Sequence, residues 1–166
     1  MNVRITTSHG EIVLELNAEK APVTVENFLT YVRDGHYDGT IFHRVIEDFM
    51  IQGGGMDQDM NEQPTRESIK NEADNGLSNV DRTIAMARTA DPHSASAQFF
   101  INTTENAFLD FRSASEDGWG YCVFGKVIEG SDVVEKIEEV DTTSRKGYQD
   151  VPEEPVVIQK MEVIET

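Results

Sequence analysis

Phe42-His43-Arg44-Val45-Ile46-Glu47-Asp48-Phe49-Met50-Ile51-Gln52-Gly53-Gly54 reads as two short apolar strands joined by an acidic turn. Side chains alternate faces along a strand. That places Phe42 and Arg44 on one face of the first strand, and Met50 and Gln52 on one face of the second. Phe49 takes the other face unless the chain bends. A cation, an amide and several large apolar groups are thereby gathered in one hairpin. The residues alone leave two readings open. Arg44 is a site cation, or it pairs with Glu47 or Asp48 on a solvated surface.

Outward from this hairpin, most of the chain reads as strands. Ile12, Leu14 and Leu16 alternate with Glu11, Val13 and Glu15 behind a Ser8-His9-Gly10 turn. Further strands are expected at Ile41–Ile46, Phe49–Gln52, Thr83–Ala87, Gln98–Asn102, Tyr121–Val127 and Val156–Ile164. Two helices are expected. One follows Pro22, with Val25, Phe28, Leu29 and Val32 on one stripe and Gly35 as its stop. The other runs from Ser131, as N-cap, to Val140, with Val133, Val134, Ile137 and Val140 inward. About eight short strands and two helices without βα alternation predict a mainly β fold, an antiparallel barrel or sandwich. The polar span from Gly53 to Asn79 is long enough to be functional or mobile.

The 166 residues suit a single domain spanning 1–166. No apolar run nears the roughly 18 residues of a spanning helix. With 14 Lys+Arg against 31 Asp+Glu, the net charge is −17. Such a surface repels phosphate backbones and anionic lipid, so neither nucleic acid nor membrane is an expected partner. Cys122 is the only cysteine and sits in the apolar run Tyr121-Cys122-Val123-Phe124, which predicts a buried, unreactive thiol. The N-terminus has no apolar segment of the secretory kind, and a cytoplasmic location is expected.

Several chemistries fail on spacing. Gly53-Gly54-Gly55 lacks the Gly-Lys-Ser/Thr of a phosphate loop. Asp57-x-Asp59-x-Asn61 starts like a calcium loop, but Glu62 and Ser68 stand where Gly and Glu are required. His9, His36, His43 and His93 show no metal-ligand spacing, and no nucleophile elbow exists. No metal and no cofactor are therefore expected.

The Phe42–Gly54 segment closely resembles the signature of the cyclophilin family of peptidyl-prolyl isomerases. The resemblance continues through Ile69–Ala73, Ile84–Arg88, Ala97–Asn102 and Val123–Val127, and covers essentially the whole chain. It is most similar to the compact bacterial cytoplasmic members. It implies a closed eight-stranded antiparallel β-barrel with a helix capping each end. It implies that Arg44 is catalytic, with an apolar pocket of Phe49, Met50, Phe100 and Leu109. Gln52 and Gln98 would bind substrate, and the backbone near Ala87 and Arg88 would pair with bound peptide. Phe108 stands where many eukaryotic members carry a tryptophan that hydrogen-bonds cyclosporin, and Tyr121 where they carry a histidine. Both would line the site, and cyclosporin would bind weakly. The expected partners are proline-containing peptides and folding polypeptides, acted on by a monomer. A proline-peptide binding module without need of turnover is the rival reading, and Arg44 argues against it. Phe99 and His43, each beside a site residue, should face away, His43 as a core or hydrogen-bonded side chain. Met86 reads as core filling and Trp119 as a loop anchor.

Overall fold

The computed structural model describes residues 1–164. Its main sheet takes in β1 (Asn2–Thr7), β2 (Gly10–Leu16), β3 (Arg44–Ile46), β4 (Met50–Gly53), β5 (Thr83–Met86), β6 (Phe99–Asn102), β7 (Val123–Glu129) and β10 (Ile158–Ile164). The spatial order is β10-β1-β2-β7-β5-β6-β4-β3, with every neighbouring pair antiparallel. The remaining strands, β8 (Thr142–Arg145) and β9 (Tyr148–Pro152), form a separate hairpin, and β9 lies beside β3.

The expected barrel is not closed. β3 and β10 are the free edges of a curled sheet and do not pair as strands. Among the described residues one isolated bridge, Ile41 with Val157, and the backbone bonds around it join the chain before β3 to the start of β10. Around it Phe42 N–H donates to the Val156 carbonyl at 3.0 Å, and Ile158 N–H donates to that of Thr40 at 2.8 Å. The reason is local. The expected strand over 41–46 is broken at Phe42 and His43, and only Arg44–Ile46 keeps ladder geometry. The same break corrects the expected faces. Phe42 turns into the core while Arg44 stays outside and exposed.

Two helices carry apolar stripes into the sheet's interior. α1 (Pro22–Arg33) buries Val25, Phe28, Leu29 and Val32, and Gly35 follows it in the left-handed conformation at φ +73°. Phe28 centres an aromatic group with Tyr37, Phe99 and Phe124 at ring distances of 5.3, 5.8 and 5.0 Å. Ala21 at the α1 N-cap supplies no side-chain acceptor. The Glu72 carboxylate does so from across the molecule, accepting from Thr24 N–H at 2.7 Å and Thr24 Oγ1 at 2.6 Å. The polar span from Gly53 to Asn79 is thus tied down by this cap and by an Ile69–Ala95 bridge.

α2 (Ser131–Glu138) buries Val133, Val134 and Ile137 and packs on β2, β3 and β4. Its N-cap is Gly130 at φ +86°, not Ser131. A Cβ at Gly130 would stand 2.2 Å from the Glu11 carbonyl oxygen, so only glycine fits there. Ser131 Oγ instead accepts from Arg82 Nε at 2.8 Å. Met86 lies in the core, as expected, and Cys122 is buried with its thiol pushed up to about 11 by desolvation. Trp119 packs edge-on against His93 and Phe111 at 4.9 and 5.1 Å, consistent with a loop anchor.

Candidate active site

Strand register builds the site. Arg44 of β3 faces Gln52 of β4, Gln52 faces Phe100 of β6, and Phe100 faces Ala85 of β5. Directly paired residues share a sheet face, so these four side chains form one row across four strands. The row beside it, Val45, Ile51, Ile101 and Ile84, points into the core. The sheet here is therefore apolar on both faces. Its inner face meets the helices, and its outer face carries a second cluster of Met50, Ala85, Phe100 and Val123.

That outer cluster floors a cavity of about 130 Å³ lined by Arg44, Phe49, Met50, Gln52, Ala87, Arg88, Phe100, Leu109 and Tyr121. Met50 and Phe100 are buried at its base, while Arg44 is exposed on its rim. Phe49 reaches this face because the chain bends before β4, with Asp48 at φ +59°. The bend is held from α2, whose Glu138 Oε2 accepts from Asp48 N–H at 3.0 Å. The Phe49 carbonyl in turn accepts from Thr103 N–H at 3.0 Å and Asn106 Nδ2 at 2.9 Å.

Polar groups along one wall are ordered in a chain. Arg44 Nη1 donates to Gln52 Oε1 at 3.3 Å, and Gln52 Nε2 donates to Gln98 Oε1 at 3.0 Å. Gln98 takes this position over Gly55, where a side chain would push it aside. A Cβ there would lie 2.4 Å from Gln98 Nε2. Among the described residues Arg44 has no carboxylate partner, and neither Glu47 nor Asp48 meets it. The guanidinium therefore keeps donors free above an apolar floor.

Nine of the eleven residues expected from the sequence line this cavity, and two lie beside it. Gln98 lines an adjoining groove with Thr89, Ser94 and Ser96, which shares Gln52, Ala87 and Arg88 with the cavity. Phe108 is 67% exposed on the rim, its ring stacked on Phe49 at 6.0 Å and 22°. Phe99 and Phe100 divide as expected, one to the core and one to the cavity. His43 faces away, buried, but its Nδ1 has no hydrogen-bond partner. Burial and the neighbouring Arg44 charge lower its pKa to about 4. Among the described residues no group of three His, Cys, Asp or Glu side chains is placed to hold a metal ion.

Behind the cavity lies a support layer that sequence reasoning misses. Asn102 Nδ2 donates to Asn79 Oδ1 at 3.1 Å, and Asn106 Nδ2 to Asn102 Oδ1 at 2.8 Å. Asp110 Oδ1 accepts from Asn79 N–H at 2.7 Å. This buried amide network fixes the Ala107–Leu109 turn that carries Leu109 to the cavity. The one signal for it is the run of polar residues after an apolar strand in Asn102-Thr103-Thr104-Glu105-Asn106.

The family model for cyclophilin type peptidyl-prolyl cis-trans isomerase/CLD matches residues 2–163, and the chain belongs to that family of isomerases. It is 62% identical to peptidyl-prolyl cis-trans isomerase cyp18 of Streptomyces antibioticus over 162 residues, 98% of each chain. It is 55% identical to peptidyl-prolyl cis-trans isomerase B of Escherichia coli K12, covering 98% of this chain and 99% of that one. A cyclophilin type isomerase of Cryptosporidium parvum, solved in the presence of the dipeptide Ala-Pro, superposes with a TM-score of 0.80 at 27% identity over the whole of both chains.

Proposed function

We propose that Arg44 accelerates rotation about X–Pro bonds by hydrogen-bonding the prolyl nitrogen in the twisted transition state. Its free donors above an apolar floor carry this reading. The barrier is about 18–20 kcal/mol because amide resonance must be broken. Uncatalysed exchange takes roughly 10–100 s. Reaching a millisecond requires about four to five decades, or ~5.5–7 kcal/mol. No bond breaks, so the chemistry calls for neither nucleophile nor metal. As the amide twists, the nitrogen becomes pyramidal and regains a lone pair that the planar ground state lacks. A donor aimed at that lone pair stabilises the transition state alone. A guanidinium stays protonated at any useful pH.

The prolyl ring enters the cavity over Phe49, Met50, Phe100 and Leu109, with Tyr121 as a wall. Gln52 and the backbone at Ala87 and Arg88 hold the peptide beside it, and Gln98 keeps the Gln52 amide oriented. One side of the bond is held while the other turns. The substrates are proline-containing peptides and folding chains, and the protein works as a cytoplasmic monomer of one domain without a cofactor. The dipeptide present with the Cryptosporidium relative is of the substrate class this cavity would take.

An exchange assay on an X–Pro peptide tests the proposal. Arg44→Ala should lower the rate at least about tenfold with native circular dichroism, since a charge-assisted hydrogen bond is worth roughly 1.5–3 kcal/mol. Equal rates for both proteins would remove Arg44 from the mechanism.

A further inference from the structure

Arg88, just after β5, is a cation without a carboxylate partner among the described residues of a chain carrying −17. Its donors are spent on backbone instead. Nε and Nη2 both donate to the Gly120 carbonyl, at 3.1 and 2.9 Å, and Nη1 donates to that of Thr89 at 2.9 Å. Asn71 Nδ2 shares the Gly120 carbonyl at 3.1 Å. So held, the guanidinium lies over the Tyr121 ring, with Cζ 4.4 Å from its centroid. Tyr121 meets Phe100 edge-on at 5.7 Å and 78°. Guanidinium, phenol and phenyl thus stand in series from the rim to the base of the cavity.

We propose that the Arg88 side chain is a positioning residue: it clamps Tyr121 against Phe100 and so sets the width of the prolyl cavity before substrate arrives. This rests on the reading of the cavity as the proline site. Two hydrogen bonds to one carbonyl fix the fork in orientation, which a lysine could not reproduce. The cation–π contact then holds the ring from outside while Phe100 limits it from inside. A wall ordered in advance spares the substrate the cost of ordering it. It serves planar and twisted amides alike, so its loss should appear in KM and not in kcat.

Steady-state kinetics on an X–Pro peptide decides this, with Arg88→Met, Arg88→Lys, Tyr121→Leu and the Arg88→Met/Tyr121→Leu double variant. Arg88→Met keeps the apolar stem and removes the fork. It should raise KM about three- to tenfold with kcat within about twofold, the range of a half-buried cation–π contact with its hydrogen bonds. Arg88→Lys should raise KM by less, because the charge remains over the ring. In the Tyr121→Leu background, Arg88→Met should add less than about 1.5-fold, since the contact it serves is gone. An equal rise in both backgrounds would place Arg88 on the substrate itself and overturn the proposal. An unchanged KM, or a fall in kcat at constant KM, would do the same. Should Arg88→Met fail the circular dichroism check, Arg88→Lys takes its place in both backgrounds: a KM rise confined to the Tyr121 background supports the clamp, and an equal rise or none overturns it. A readout independent of turnover is the proton NMR of the Tyr121 ring. Its signals should move toward unstructured positions in either Arg88 variant. That shift does not depend on where the peptide binds: if it appears while Phe100→Ala turns over X–Pro peptide normally, the proline-site reading fails and the clamp does not.

Discussion

At the scale of single residues, two side chains next to the reacting centre carry consequences. His43 is buried beside Arg44 with an orphaned Nδ1, and its pKa falls to about 4 from 6.5. The folded state therefore prefers the neutral ring. Between about pH 6.5 and 4 the unfolded chain binds the proton that the folded chain refuses, so stability falls with pH across that window and is fully retained above it. Melting curves should fall more steeply from pH 6.5 to 4 for the wild type than for His43→Gln; parallel curves would mean that His43 charges without penalty. Phe108 lies exposed on the rim and stacks on Phe49, but it has no N–H donor. Were cyclosporin to dock on this rim, a carbonyl desolvated against Phe108 would go unpaired at about 1–3 kcal/mol. Binding should be roughly 5- to 150-fold weaker than in members with tryptophan at this place, and Phe108→Trp should recover part of it. A titration showing both proteins equally tight would remove the hydrogen-bond explanation.

Among the elements, the four strands β3 to β6 are legible in the sequence, but the order in which they pair is not. Period-two alternation plus a long ordered resemblance groups Arg44, Gln52 and Phe100, and the ladder register unites them. The parts that are not legible share a physical cause: their signals are not local. β8 buries no residue and β9 buries only the adjacent Val151 and Pro152, so their strands show no alternation to read. Phe42 and Arg44 part company through a break that nothing in Phe-His-Arg announces. Buried Asn79 comes from a segment 23 residues before Asn102 and meets its amide only in three dimensions. The cap of α1 arrives from Glu72, 48 residues beyond Thr24. Glu72→Ala would leave the buried Thr24 N–H unpaired and its hydroxyl with only the Cys122 thiol at 3.5 Å, costing about 1–3 kcal/mol. For a chain of this size that lowers the melting temperature by roughly 2–4 °C per kcal/mol. Calorimetry on this variant checks the cap, and an unshifted transition would show that water replaces the carboxylate without loss.

Over the whole molecule, the fold uses both faces of one sheet. The interior supplies stability through the aromatic group around Phe28, and the outer face holds the cavity on the same strands. Rigid strands thereby fix the row from Arg44 to Phe100, while loops add Leu109 and Tyr121. The charge of −17 is spread over this body with few compensating pairs; those described lie at or near the surface, Arg82–Asp81 with its arginine half-buried, where such pairs contribute little. Self-repulsion should be screened within a Debye length of about 10 Å at 0.1 M salt. The melting temperature should therefore rise from low to moderate ionic strength; a flat dependence would mean the charges are too dispersed to repel.

The role proposed for Arg44 is action on the twisted amide and not on the bound peptide. Its most direct test is Arg44→Ala measured twice, by exchange rate at saturating X–Pro peptide and by the dissociation constant of that peptide. The expected result is a rate at least about tenfold lower with the dissociation constant changed by less than about threefold. A dissociation constant that rises tenfold while the saturated rate holds would contradict it, and would make Arg44 a binding residue.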